Sequence, residues 1–444
     1  MRNFIFAAAL LLLCVDVIPA QQRADMDHSA ANIMLQERGE VFFEFEIAHR
    51  SELSVLTRII SIDHVAQYQV KAYANQTQFA QFLELGYEYR LLTPPSMQQM
   101  VEMMEDTPSR DLNLTAYPTY TQYVSMMQNW VSSYPDLCRL QQIGTTADGR
   151  ALLVLKITDN PDVREYEPQF LYTSTMHGDE TAGYIAMLEL IDHLLSNYPT
   201  NAEVAELVNS TEIWINPNAN PDGTYAAGNN TVNGATRANG NNIDLNRNYP
   251  DPQDGPHPDG NAWQPETIAF MAFADSMDFV MACNFHGGAE LFNYVWDTKA
   301  ADHPDRNWWS DKGQEYVDDV HAVSGTGYLS DFQAGFDAPG LTNGFAWYEV
   351  NGGRQDYMNA FEYCREATLE LSITKLIPTS DFASIWDYNR QALINYMKLC
   401  YEGFHGMVTD ACTGQGLKAR VFISGHDADS SHVYASLPLG NYYR

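Results

Sequence analysis

The chain has 444 residues, 45% of them hydrophobic and 12% aromatic, with 25 basic against 57 acidic side chains and a formal charge of −32. That length and composition suit two or three domains with sizeable cores and exclude a disordered polypeptide. The acidity excludes nucleic acid and anionic membrane surfaces as partners; it reflects solubility, a saline habitat or a mild bias towards cationic substrates.

Residues 1–20 read as a secretory leader, with Arg2, an apolar run over 4–15 and then Pro19-Ala20. The run is short for a membrane span, and no later segment is apolar enough for one, so the mature protein is expected to be soluble and secreted, extracellular or periplasmic. Beyond the leader, Cys138, Cys283, Cys364, Cys400 and Cys412 form an odd, scattered set. It has room for one or two bridges but shows no readable pairing and no zinc-ribbon spacing.

Residues 21–110 read as a small α/β module and linker. Strands are predicted over 41–45, 67–73 and 87–92, a helix over 77–85, and a short helix or strand over 53–60. Pro94-Pro95 closes the module, and a Met- and acid-rich linker follows. A pro-segment, a folding aid and an accessory domain all fit it.

From 111 to 403 the elements lengthen. An amphipathic helix over 120–134 precedes apolar strands over 152–157, 170–175, 212–216, 279–285 and 368–372, with helices between them and a closing helix over 385–401. This alternation predicts a mixed β-sheet sandwiched by helices. The stretch 216–261, rich in Asn, Gly, Asp and Pro, is predicted to be a long functional loop. After 403 the texture changes to short strands and turns through 444.

The chemistry gathers at strand ends. His177-Gly178-Asp179-Glu180 lies where the strand over 170–175 meets a helix, and His286 ends the strand over 279–285. Two imidazoles and a carboxylate are the protein ligands of a catalytic zinc with one open position. Ligands of open α/β sheets bind at such strand ends. Glu370 is a lone carboxylate on an apolar strand, either facing a polar cleft as a general base or facing solvent. The loop carries Arg237 and Asp244-Leu245-Asn246-Arg247-Asn248-Tyr249-Pro250. Its arginines suit carboxylate binding and stabilisation of an oxyanion, or ordinary ion pairs. Tyr348 precedes the Gly352-Gly353 pair, in a loop suited to movement or to packing.

Together these motifs resemble the zinc metallocarboxypeptidase family, in particular its regulatory carboxypeptidase N/E/D branch, over about 117–444. The resemblance implies one zinc ion held by His177, Glu180 and His286, with Glu370 as general base and Arg237 polarising the scissile carbonyl. It implies that Asn246 and Arg247 bind the terminal carboxylate of a peptide or protein substrate while Tyr348 closes over it. By the same resemblance, 404–444 begins a transthyretin-like β-domain that it does not complete. Asn293-Tyr294-Val295-Trp296-Asp297 is similar to the branch's stretch ending in an acidic residue that contacts basic side chains, so Asp297 implies removal of C-terminal Arg or Lys. Arg354 stands in the pocket loop where the branch commonly has an apolar residue; inside the pocket it would pair with Asp297 or favour acidic residues. A monomer is the default. The alternatives are a zinc peptidase or amidase of the same fold acting on bacterial cell-wall peptides, and a catalytically inactive binding module.

Overall fold

The computed structural model describes residues 20–105 and 114–444. Residues 1–19 of the predicted leader and 106–110 of the predicted linker lie outside the described residues. Among the described residues no helix is long and apolar enough to cross a membrane.

The N-terminal module is an antiparallel sheet of β1 (Val41–Glu46), β2 (Ser61–Ala66), β3 (Gln69–Ala74) and β4 (Tyr89–Leu91), in the order β2-β3-β1-β4. Alternation along β1 sends Val41, Phe43 and Phe45 inward against Phe79 and Phe82 of the helix Gln76–Glu84, so the module has its own small core. The segment predicted as helix or strand over 53–60 contains the single-turn helix Leu53–Leu56. Within the module, the helix Ala20–Arg38 and the strand β2 lie outside the predicted set.

The larger sheet has eight strands: β5 (Cys138–Thr145), β6 (Ala151–Ile157), β7 (Gln169–Ser174), β8 (Glu212–Asn216), β9 (Phe279–His286), β10 (Ala289–Tyr294), β11 (Leu341–Asn343) and β12 (Arg365–Ser372). Their order is β11-β10-β12-β9-β7-β8-β6-β5, with β12, β9, β7 and β8 parallel and β10, β6 and β5 joined antiparallel. The mixed, helix-covered sheet is the predicted fold class.

Strand parity decides where the site can lie. Met281, Cys283 and Phe285 of β9 and Ala367, Leu369 and Leu371 of β12 join one core with the helices Ala182–Asn197, Arg306–Ser324 and Phe382–Lys398. The alternate residues must face the other way. These are Asn284 and His286 on β9 and Glu366, Thr368 and Glu370 on β12, in parallel register Thr368 to Asn284 and Glu370 to His286. On that second face Phe270 and Phe273 of the helix Pro265–Asp275 and Tyr357 and Met358 of the helix Arg354–Ala360 cover the sheet only in part. A polar ladder therefore runs along two central strands towards their C-terminal ends: Asn284 Nδ2 donates to Glu366 Oε1 at 3.0 Å and to Thr368 Oγ1 at 3.0 Å.

Beyond the helix Phe382–Lys398, His405–Met407 pairs with Asn441–Tyr443 and Arg420–Val421 with Val433–Tyr434. Asp305 ties this stretch to the larger domain, accepting from Arg365 Nη2 at 2.8 Å, His426 Nε2 at 2.7 Å and Arg444 Nη2 at 3.0 Å. The five described cysteines are free, four of them buried, so the one or two bridges allowed by the sequence are not formed among them.

Candidate active site

His177 follows β7 through a tight turn in which Thr175 adopts a left-handed φ of 62°. Gly178 is obligatory there, because a Cβ would stand 2.2 Å from the Gly223 carbonyl carbon. The turn brings His177 Nδ1 within 2.9 Å of Glu180 Oε2, while His286 Nδ1, from the end of β9, lies 2.9 Å from the same oxygen and 3.0 Å from His177 Nδ1. All three side chains are buried, and their donor atoms lie within 4.8 Å of one another. His177 Nε2 is 3.0 Å from Asp244 Oδ1. With the Nε2 proton donated to that carboxylate, Nδ1 presents its lone pair inward, the usual arrangement of a metal-binding histidine. His286 Nε2 has no partner, so its Nδ1 is free either to donate to Glu180 Oε2 or to turn a lone pair inward; in the second form a cation among the three atoms offsets their mutual repulsion. A buried N/N/O donor set suits zinc with a position left open.

The other sequence-predicted residues surround this cluster. Glu370 lines the same cavity with Oε2 lacking a hydrogen-bond partner, and burial, reinforced by the Glu180 charge, pushes its carboxyl well above the usual range. That is the condition of a carboxyl able to carry a proton near neutrality. Arg237 Nη1 donates to Glu180 Oε1 at 3.1 Å, and its Nε to Asp244 Oδ2 at 3.2 Å. Asn246 and Arg247 follow Asp244 in a short helical turn, with Arg247 buried and its Nε unpartnered. Tyr348, Asn246 and Arg247 all line the cavity, and Asp297 stands in its wall.

Asp297 Oδ1 accepts from Asn293 Nδ2 and Gln355 Nε2, each at 3.0 Å, and burial pushes its pKa up to about 6. Gly344 keeps the approach to it open, since a Cβ there would fall 1.7 Å from Oδ1. Arg354 does not join this group. It is the first residue of the helix Arg354–Ala360, and its side chain enters the core, with Nε 3.2 Å from Glu366 Oε1 and the guanidinium 4.9 Å from the Phe270 ring centroid. Its contact with the site is through the backbone, where its N–H donates to Asn246 Oδ1 at 2.9 Å. The expectation that Arg354 shapes the substrate pocket is therefore corrected: Glu366, on the same strand face as Glu370, draws it away.

Four participants were not singled out in the sequence reading: Asp244 behind His177, Gln355 on Asp297, Lys375 on Glu180, and the N-terminal strand β2 itself. Lys375 is the one cation in the short run after β12, and Gln355 adjoins Arg354; each was a readable signal. β2 approaches the catalytic face with residues 61–63. The pairing of β2 with β3 shifts between Ile62 and His64, a bulge that leaves Asp63 out of the ladder and turns it towards the cluster. Asp63 Oδ1 accepts from Arg237 Nη1 at 3.2 Å and bonds Lys375 Nζ. Ser61 Oγ accepts from Arg237 Nε at 2.8 Å, and the Ile62 carbonyl accepts from Arg247 Nη2 at 3.2 Å and Tyr348 Oη at 3.4 Å. Around the cluster a cavity of only about 40 Å³ remains, room for a few water molecules at about 10–15 Å³ each. A larger cavity of about 470 Å³, at the seam between the module and the 241–243 loop, is lined by Arg247 but by none of the three candidate metal ligands.

A strand-end cluster of two histidines and a glutamate, backed by a glutamate on the neighbouring parallel strand, defines a metallopeptidase-type site. The zinc carboxypeptidase family profile matches residues 123–392, so the chain belongs to that family. Within it, the chain is similar to the regulatory branch. It is 34% identical over 328 residues to carboxypeptidase D of Rattus norvegicus, covering 72% of this chain and 23% of the relative. It is 32% identical over 356 residues to the carboxypeptidase N catalytic chain of Homo sapiens, covering 73% and 77%. Thus the chain spans about a quarter of the length of the carboxypeptidase D it matches. Among solved structures, the carboxypeptidase A from Helicoverpa armigera superposes with a TM-score of 0.62 at 16% identity, over 82% of this chain and 99% of that one, a likeness of fold.

Proposed function

We propose that this protein is an exported zinc carboxypeptidase that removes one residue from peptide or protein C-termini, with a preference for Arg or Lys. The observation that carries the reading is the convergence of His177 Nδ1, His286 Nδ1 and Glu180 Oε2 beside Glu370, the β12 neighbour of His286. Zinc held by these three supplies a Lewis acid that lowers the pKa of water and polarises a carbonyl. Glu370 takes the proton of the attacking water and delivers it to the departing amine. Arg237 donates to the carbonyl oxygen as negative charge develops there. Arg247 binds the terminal carboxylate with Asn246, and Tyr348 covers it. This assignment places hydrolysis one residue from the chain end and excludes internal bonds.

The basic preference is supported by Asp297, a buried carboxylate held by Gln355 and Asn293 behind the opening left by Gly344. Its carboxyl is neutral below about pH 6 and charged above, so discrimination for a cationic residue appears as pH rises. The kcat/KM ratio of hippuryl-Arg to hippuryl-Phe is expected to fall about tenfold for each pH unit below about 6 and to level off above it. Taking the ratio cancels the ionisation of Glu370. Faster hydrolysis of hippuryl-Phe, or of a cell-wall peptide run in parallel, overturns the Arg/Lys preference.

The N-terminal module acts as a blocking pro-segment. The groups assigned to bind substrate, Arg237, Arg247 and Tyr348, all bond residues 61–63. Further contacts fasten the module: Glu40 accepts from the backbone N–H groups of Arg237 at 3.2 Å and Ala238 at 3.1 Å, and Tyr73 Oη donates to Asp179 Oδ2 at 3.1 Å. A peptide C-terminus and this strand cannot share the cleft.

A further inference from the structure

Glu180 offers two oxygens, and only one of them faces the histidines. Oε2 lies 2.9 Å from both Nδ1 atoms and accepts from Gly287 N at 3.1 Å. Oε1 points the other way, onto Lys375 Nζ at 2.9 Å and Arg237 Nη1 at 3.1 Å. Lys375 is 2% exposed and held from several sides. Its carbonyl accepts from Thr181 N at 2.9 Å and Thr181 Oγ1 at 3.2 Å, fixing it to the residue after Glu180, and its ammonium lies 5.0 Å from the Tyr73 ring centroid. Arg237 is already shared among Asp244, Ser61 and Asp63. A carboxylate free to rotate would turn its charge away from the two histidines for part of the time.

From this geometry we infer that Lys375 is a positioning residue, whose ammonium anchors Glu180 Oε1 and so keeps the carboxylate turned towards the two histidines, where it would hold a metal. Lys375 touches neither substrate nor the ligating atom; it acts through Glu180. Partners behind a ligand that fix its orientation typically contribute 10–100-fold in metal affinity. The same ammonium also bonds Asp63 of β2, so the module and the ligand meet at one side chain. The inference rests on the zinc carboxypeptidase reading but can fail separately from it.

The test measures zinc itself on the full chain, by competition with a chromophoric chelator and by the rise in melting temperature that zinc produces over the metal-free protein. Lys375→Met is expected to weaken zinc binding at least tenfold and to shrink the zinc-dependent rise. A purely structural lysine would instead lower the melting of metal-free and zinc-loaded protein together and leave the rise intact, a result that overturns the inference. Lys375→Gln, which keeps a donor to Oε1 without the charge, is expected to lose about threefold or more. It serves as the test if the Met variant does not fold, and wild-type affinity in it is equally contradictory. Repeating Lys375→Met in an Asp63→Asn background should give the same loss. A loss that vanishes there means that Lys375 acts through the docked module and not on Glu180. If the wild-type chain binds no zinc, the carboxypeptidase reading has failed first.

Discussion

Glu370→Gln is expected to lower kcat on a C-terminal Arg peptide by about a thousandfold while leaving one bound zinc per chain. The amide has nearly the volume of the carboxylate and can still accept a hydrogen bond. What it lacks is a site to take a proton from water and return it to the amine. Oε2 of Glu370 has no hydrogen-bond partner, so the fold does not depend on this side chain for an internal bond at that atom. Burial and the Glu180 charge push the Glu370 carboxyl up, in contrast to Glu180, which His177 and Lys375 hold well below the usual range against the opposing effect of burial. Two glutamates of one cavity are thereby pushed towards different roles, one a permanent anion and one a proton carrier. Metal analysis with single-turnover kinetics checks this; substantial activity in the Gln variant would require another base.

Asp63→Ala is expected to raise the full chain's activity on small substrates at least tenfold. Asp63 is the acidic residue that β2 presents to Arg237 and Lys375, and removing it leaves those cations with Glu180 and Asp244 only. Breaking a buried pair costs about 3 kcal/mol, which would move the docking equilibrium by about two powers of ten. The gain should appear in kcat/KM without a change in the pH dependence of the Arg-to-Phe ratio, because Asp297 stands apart from the contact. Unchanged or lower activity would mean that the module supports the site and does not occlude it.

Most of the catalytic face was legible because its signals are abrupt. Strands such as Phe279-Val280-Met281-Ala282-Cys283-Asn284-Phe285 are apolar enough to be central, and each then ends on a residue that an apolar interior would not accept. Period-two alternation also carries Glu370 and His286 to one face once β12 and β9 are paired. Their pairing, however, links residues over eighty positions apart and cannot be read locally. β5 escaped notice because it is an edge strand with polar Arg139, Gln141 and Gln142 and no apolar run. β2 escaped for a related reason: Ser61-Ile62-Asp63-His64-Val65-Ala66 has its alternation interrupted by the bulge that aims Asp63 at the site. The feature that gives this strand its consequence is the one that hides it. Arg354 shows the opposite limit: it opens the helix Arg354–Ala360, and its side-chain direction depends on Glu366, twelve residues later on another element.

The most direct measurement places a protease recognition sequence between Glu105 and Leu114 and follows a mixture of peptides by mass spectrometry, on zinc-loaded protein before and after cutting. The expected result is loss of single C-terminal residues, Arg and Lys first, slow in the intact chain and at least tenfold faster once the module is cut and diluted away. Internal cleavage, or no C-terminal loss from the cut, zinc-loaded protein, would contradict it.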